Sequence, residues 1–227
     1  MPLQEPQFVK ALFSSIAARY DLANHLLSGG MDFLWRRRAA QIVRAWPHGR
    51  ILDLATGSGD LALTLAKHCP GSEITGADFC HPMLLQAKTK GVVRLVVADG
   101  MRLPFADETF DVVTVAFGLR NMESWPGALR EMSRILKKEG HALVLDFSIP
   151  ENAVLRPAYR AYLHRVLPRI AGLLTREKSA YNYLAESIEK FPRGNAMTSL
   201  MEANGFCEAA CEPLTCGIVS LYTGRRG

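Results

Sequence analysis

At 227 residues, 48% of them apolar and 22% charged, the chain is long enough to bury one substantial core and too hydrophobic to stay disordered. Lysine and arginine outnumber the acids to give a formal charge of +5, yet no basic patch interleaved with aromatics accompanies the excess, so no nucleic-acid partner is expected. No apolar run approaches the roughly 18 to 20 residues needed to cross a bilayer, and the N-terminus lacks the order of a signal peptide, so the expected compartment is the cytoplasm.

Residues 7–46 read as a helical cap, with Phe8, Leu12, Phe13, Ile16 and Ala17 near one face, then Leu26, Leu27, Phe33, Leu34 and Trp35. From residue 50 the pattern alternates. Arg50 to Ala55 is a short apolar strand ended by glycines, and Leu61, Leu63, Leu65 and Ala66 follow in a helix closed by Pro70-Gly71. Glu73 to Asp78 is a second strand, His81-Pro82-Met83 opens a second helix with proline in its first turn, and Val92 to Ala98 is a third strand. Phe110 to Phe117 reads as a buried fourth strand. Trp125 to Leu136 reads as a helix stopped by Lys137, Lys138 and Gly140, and His141 to Phe147 as the fifth strand. Residues 153–194 form a less regular helical insertion rich in Tyr, Leu and Arg. Residues 196–204 predict a last helix stopped at Gly205, before closing strands around Phe206–Glu212 and Ile218–Thr223. Such alternation predicts one α/β domain over 1–227, its core at 49–148 and its closing elements at 195–227, with ligands bound beyond the carboxyl ends of a mostly parallel sheet.

The chemistry should therefore sit in the turns. Ala55-Thr56-Gly57-Ser58-Gly59-Asp60 carries G-x-G, and Ala62 stands where a dinucleotide fingerprint has its third glycine. Missing side chains at Gly57 and Gly59 allow a ligand close to the backbone, and the turn suits a smaller, phosphate-free cofactor better than a dinucleotide. Asp78 ends the second strand, where a carboxylate can accept hydrogen bonds from both hydroxyls of an adenosine ribose, with Phe79 beside it. Asp53 lies inside the first strand, where a lone charge needs hydrogen-bond donors or a cation; a sulfonium cofactor with an amino-acid moiety would bring cationic groups there. Asp99-Gly100 closes the third strand, able to meet an adenine amino group or to form an ordinary turn. Phe117-Gly118-Leu119-Arg120-Asn121 follows the fourth strand, so that the Arg120 guanidinium and Asn121 amide are expected to face the crevice; Arg120 would serve equally as a structural ion-pair partner. No nucleophile-base pair and no metal-ligand cluster accompanies these residues, and the five cysteines (Cys69, Cys80, Cys207, Cys211, Cys216) read as free thiols. The chemistry must come from the cofactor, S-adenosyl-L-methionine in this reading.

Longer stretches carry a family resemblance. Phe13 to Asp21, then Asn24, Leu27-Ser28-Gly29-Gly30 and Trp35-Arg36-Arg37-Arg38-Ala39 resemble the N-terminal signature of the UbiE/COQ5 family of quinone C-methyltransferases. Ala116 to Asn121, Leu136 to Gly140, Tyr181 to Ile188, Phe191-Pro192 and Gly217-Ile218-Val219 are similar to further family segments. The resemblance implies a class I methyltransferase sheet of seven strands, the last antiparallel, with a polyprenylated quinol as acceptor, demethylmenaquinol before a ubiquinone precursor. It implies cofactor contacts at Ser58, Asp78, Asp99 and Gly100; Arg120 and Asn121, together with Tyr20, are expected to bind the quinol hydroxyl and stabilise its phenolate. Thr56 departs from a frequent glycine, Ser58 from a frequent threonine, and Ala116 from a serine often assigned to cofactor contact, so Ala116 is left out of the site. The isoprenoid tail gives 7–46 and 153–194 a purpose as walls of a lipid channel, with Arg36, Arg37 and Arg38 near anionic headgroups in a peripheral contact with the inner face of the membrane. A homodimer is compatible with all of this. An NAD-dependent oxidoreductase would share the sheet and Asp78 but should show the third glycine, and a lipid-binding protein would not need the turn.

Overall fold

The computed structural model describes residues 28–167, 169 and 178–227. Tyr20 and the first part of the helical cap lie outside the described residues, as does the middle of the 153–194 insertion.

The described chain opens with α1 (Met31–Arg44), then β1 (Arg50–Leu54), α2 (Asp60–His68), β2 (Glu73–Asp78), α3 (His81–Thr89), β3 (Arg94–Val97) and β4 (Phe110–Ala116). A 3-10 turn at Leu119–Asn121 leads to α4 (Trp125–Ile135), β5 (Leu136–Phe147), α5 (Leu155–Ala161) with a π-helical turn at Tyr162–Val166, α6 (Lys178–Lys190), α7 (Asn195–Glu202), β6 (Phe206–Leu214) and β7 (Val219–Arg226). The strands form one seven-stranded sheet in the order β3-β2-β1-β4-β5-β7-β6. β1 to β5 pair in parallel, and β7 runs antiparallel to both its neighbours. The fold class and the antiparallel last strand agree with the sequence reading. Strand order reverses between β1 and β4, which opens a crevice at their carboxyl ends.

Both sheet faces are covered, and the strands show it residue by residue. In β1, Ile51 packs with Trp35, Ala39 and Val43 of α1 and Leu61 and Leu65 of α2, whereas Leu52 and Leu54 turn to the opposite face with Leu129 and Met132 of α4 and Met197 and Met201 of α7. β4 repeats the alternation, Val112 to one side and Val113 and Val115 to the other. Period-two alternation between two apolar faces makes a strand read as continuously hydrophobic, and each such side chain contributes about 1.5–3 kcal/mol of burial. α4 is capped as its sequence requires: the Ser124 hydroxyl accepts from the Gly127 N–H at 3.1 Å and Pro126 sits in the first turn.

Two boundaries differ from expectation. The segment Lys137 to Gly140 does not separate helix from strand: α4 stops at Ile135 and β5 begins at Leu136, with an irregularity in its pairing to β4 between Phe110 and Val112. Glu139 has a positive φ of 62°, and a Cβ on Gly140 would lie 2.8 Å from the Lys137 carbonyl oxygen, so the basic run forms a bulged strand end. β3 is shorter than Val92–Ala98, because Val92 leaves the sheet to pack between Ala62 and Ala87 of the two preceding helices.

Candidate active site

The turn after β1 is organised by two carboxylates that sit below it. Thr56 N–H donates to the Ala77 carbonyl at 3.0 Å, tying the turn to β2. Asp78 Oδ2 accepts from Gly57 N–H at 2.8 Å and Oδ1 from Cys80 N–H at 2.8 Å, so the carboxylate locks the turn after β1 to the turn after β2. Burial pushes Asp78 up from its ordinary pKa while these backbone donors oppose the shift. Gly57 adopts a φ of +57°, a conformation that side chains rarely take, and Met83 lies beside it.

Asp53 is 1% exposed. Its Oδ2 accepts from the Thr56 hydroxyl at 2.6 Å and its Oδ1 from the Thr114 hydroxyl at 2.9 Å. Desolvation raises its pKa to about 6 in spite of these bonds and of the nearby Arg36. Thr56 thus supplies the donor that a charge inside a buried strand needs, and a glycine could not.

A cleft of about 820 Å³, open solvent at its mouth included, runs across the carboxyl ends of β1 to β4. Asp78, Phe79, Asp99 and Gly100 line one end, Phe117, Gly118 and Asn121 the other, and Gly57 the wall between. A second pocket of about 380 Å³, open solvent again included, adjoins it, lined by Asp53, Thr56, Ser58, Arg36 and Asp60, and the two share Ala55, Gly57, Ala116 and Phe117. Cys80, Met83, Met101 and Met122 also line the larger cleft. They were missed because they carry no motif; their apolar character reads as core until the turns around them are placed.

Most of the expected cofactor residues therefore converge. Gly59 does not: at φ +87° a Cβ there would lie 2.6 Å from Val92 Cγ2 and 3.1 Å from Ala87 Cβ, so this glycine lets α2 approach the α3 to β3 connection. Ser58 faces the smaller pocket, its hydroxyl accepting from Lys90 Nζ at 3.0 Å. Asp99 uses one oxygen to accept from Met101 N–H at 2.9 Å, as an ordinary Asx turn does, while lining the cleft. Ala116, left out of the site above, is part of the wall common to both pockets.

At the other end the expectation for Arg120 is corrected. Its side chain does not point into the cleft. It is 4% exposed, with Nη1 2.6 Å from Asp146 Oδ1 and donating to the Phe117 carbonyl at 2.6 Å. Asp146 is fully buried in β5; burial raises its pKa and Arg120 opposes the shift. Asn121 does line the cleft. Its Nδ2 donates to the Phe117 carbonyl at 3.2 Å and its Oδ1 accepts from the Tyr183 hydroxyl at 3.0 Å. Asp146 was legible by the same argument as Asp53, a lone charge inside an apolar strand, but its partner stands 26 positions away. Ala55 and Phe117, which follow the two central strands, both hold positive φ, 52° and 58°. For side chains of this size such angles cost roughly 1–3 kcal/mol each and collect at functional sites.

The Arg36-Arg37-Arg38 run does not form one headgroup-facing surface. Arg36 turns inward, 8% exposed and paired with Asp32; Arg38 bridges Glu212 at 2.8 Å; Arg37 is exposed. Helical spacing separates consecutive residues by about 100°, which splits the triplet.

A glycine turn after β1, an acidic end to β2 and a crevice where strand order reverses define the ligand end of a methyltransferase-type α/β fold. A SAM-dependent methyltransferase of Thermotoga maritima, described as a possible histamine N-methyltransferase, shares this fold with a TM-score of 0.70 at 20% identity, over 96% of this chain and 99% of that one. The chain belongs to the ubiE/COQ5 methyltransferase family, whose model matches residues 1–226. It is 46% identical over 220 residues to a demethylmenaquinone methyltransferase of Thermus thermophilus, covering 95% of this chain and 100% of that protein. It is 44% identical over 225 residues to the ubiquinone/menaquinone biosynthesis C-methyltransferase UbiE of Syntrophotalea carbinolica, over 97% of this chain and 94% of that one.

Proposed function

We propose that this protein methylates a ring carbon of a polyprenylated quinol with S-adenosylmethionine, turning demethylmenaquinol into menaquinol. The observation that carries this reading is the continuity of the cleft: carboxylates at the ends of β2 and β3 share one space with the Phe117 to Asn121 turn. The residues fit the cofactor. Gly57 leaves room at the turn, Asp78 offers its carboxylate to ribose hydroxyls, Phe79 forms an apolar wall, and Asp99 with Gly100 borders the adenine end. When bound, S-adenosylmethionine supplies an electrophilic methyl group on a cationic sulfur.

The protein's own task is orientation, exclusion of water and charge stabilisation. Met83, Met101, Met122 and Phe117 give the cleft apolar walls. A quinol ring is electron-rich where a quinone ring is not, and loss of its hydroxyl proton raises its nucleophilicity further. Asn121, fixed by Tyr183 and the Phe117 carbonyl, offers an oriented amide to that hydroxyl. Arg120 stands behind the wall, where its pairing with Asp146 holds the Phe117 carbonyl that orients Asn121; Tyr20, outside the described residues, joins this group on the sequence alone. Full activity and unchanged cofactor affinity in Arg120→Ala would refute that role.

Membrane contact is proposed on α1, where Phe33 and Leu34 are more than half exposed beside the exposed Arg37. Among the described residues no helix is long and apolar enough to cross a membrane. Flotation with liposomes should occur with anionic lipid and fall away without it.

The deciding experiment incubates the protein with methyl-labelled S-adenosylmethionine and each reduced quinol. Label in the naphthoquinol ring is expected. Label only in a benzoquinol would reassign the acceptor, and transfer to neither would overturn the quinol reading.

A further inference from the structure

We propose that Met122 is an oxidation site guarded by the cofactor: its thioether takes an oxygen atom from a peroxide when the cleft is unfilled, and the sulfoxide so formed weakens cofactor binding. The inference rests on the cofactor part of the reading above and is independent of the acceptor.

The first ground is where the sulfur stands. Two glycines of the cleft wall each have a methionine end against them: a Cβ on Gly57 would lie 3.4 Å from the Met83 methyl, and a Cβ on Gly100 would lie 2.9 Å from the Met122 sulfur and 3.1 Å from its methyl. The Met122 thioether is thus laid against Gly100, beside Asp99 at the end of β3. Met101, the third thioether of the cleft, carries its methyl away to Gly127 of α4, where a Cβ would lie 3.0 Å from it.

The second ground is access. Met132, Met197 and Met201 are fully buried in the core and Met83 is 2% exposed, whereas Met101 and Met122 are half-buried at the cleft. An oxidant must reach the sulfur, so susceptibility follows exposure. A ligand lying on Gly100 covers the same sulfur, which couples access to occupancy.

The third ground is what the product does to the wall. The sulfur lone pair attacks one oxygen of hydrogen peroxide, the O–O bond breaks and water leaves, so the thioether is oxidised to a sulfoxide as the peroxide is reduced. Any quinol releases that oxidant when dioxygen converts it to a quinone. A flexible apolar end thereby becomes polar and larger. The new oxygen points either toward Leu54, whose Cδ1 would stand 3.8 Å from the same Gly100 Cβ and offers no donor, or into the cleft, where it takes space from the ligand.

The test treats the whole chain with hydrogen peroxide, with and without S-adenosylhomocysteine, following each methionine by peptide mass spectrometry and ligand affinity by calorimetry. Without ligand, Met122 should oxidise several-fold faster than Met132, Met197 and Met201. S-adenosylhomocysteine at about ten times its Kd should slow Met122 roughly 10-fold, in proportion to the free fraction. Met31, half-buried on α1 and lining neither pocket, should oxidise at the same rate with or without ligand. Affinity should fall roughly 10-fold as Met122 sulfoxide accumulates, and methionine sulfoxide reductases should restore it. In Met122→Leu the same treatment should no longer lower the affinity; should that variant not fold, recovery by the reductases decides. Equal rates at Met122 with and without ligand, equal protection of Met31, oxidation of Met122 without loss of affinity, or the same loss in folded Met122→Leu would overturn the proposal. No binding of S-adenosylhomocysteine to the untreated protein would instead overturn the cofactor reading beneath it.

Discussion

At the end of the cleft proposed for the cofactor, a carboxylate is held by backbone N–H groups: Asp78 accepts from Gly57 and Cys80, both within one strand-turn-helix unit of it. At the end proposed for the acceptor, a carboxylate is held by a side chain: Asp146 of β5 pairs with Arg120, which in turn fixes the Phe117 carbonyl after β4. The backbone-built end depends little on the identity of the residues around it. The side-chain-built end depends on two charges that are both sheltered from water, where each is costly without the other. The end proposed for the methyl donor is therefore built on backbone donors to one carboxylate, and the end proposed for the acceptor on a buried ion pair that a single substitution can break.

The largest effect expected from this contrast is at Asp146. Asp146→Ala leaves Arg120 buried without its counter-charge and should cost about 3–5 kcal/mol in chemical denaturation. An Arg120→Met, Asp146→Leu pair should recover much of that stability while remaining inactive. A loss below about 1 kcal/mol in the single variant would show that the ion pair does not brace the acceptor end. Next, Asp78→Ala should weaken S-adenosylhomocysteine binding by about 2–3 kcal/mol, read by calorimetry, since it removes the ribose acceptor and the anchor of the turn together.

Asp53 sharpens the comparison because it is expected to act in the opposite direction on stability. Its native pKa, about 6, is raised above the value of a solvated aspartate. Between those two values the native state holds more proton than the unfolded chain, so stability falls as pH rises through this window. At pH 7 the full destabilisation is present. Asp53→Asn should therefore gain about 1–3 kcal/mol at pH 7, a gain that disappears as pH falls from 6 toward 4. Thermal unfolding across that range checks it, and a gain independent of pH would remove the carboxylate from the explanation. The smallest effect belongs to Tyr183→Phe. Losing one hydrogen bond to Asn121, worth about 1 kcal/mol, should lower kcat about five-fold and leave cofactor affinity unchanged.

The two ends also differ in how readily the sequence discloses them. β2 was read with its observed bounds, Glu73–Asp78, and the turn after β1 with its carboxylates, because these depend on a glycine, a short apolar run and a charge close together in the chain. What escaped depends on distance in the chain. The inward turn of Arg36 needs Asp60 and Phe117 beside it, the burial of Arg120 needs Asp146, and the role of Gly59 needs Val92. Gly59 shows the limit well: its positive φ was foreseeable from its type, whereas the side chain that excludes a Cβ there, Val92, comes from the connection between α3 and β3. The start of β5 at Leu136 escaped for another reason, since a lysine pair with a glycine two residues on serves a helix end and a bulged strand equally.

A Cβ placed on Gly118 would stand 2.5 Å from the Ala55 Cβ, so the turns after β1 and β4 touch at a point where neither can grow. Positions 55 and 118 consequently behave as one heritable unit. A side chain at 118 would collide with Ala55 unless position 55 first became glycine. Laboratory evolution aimed at new acceptors will find its freedom along the methionine-lined wall, while this contact stays closed to stepwise change.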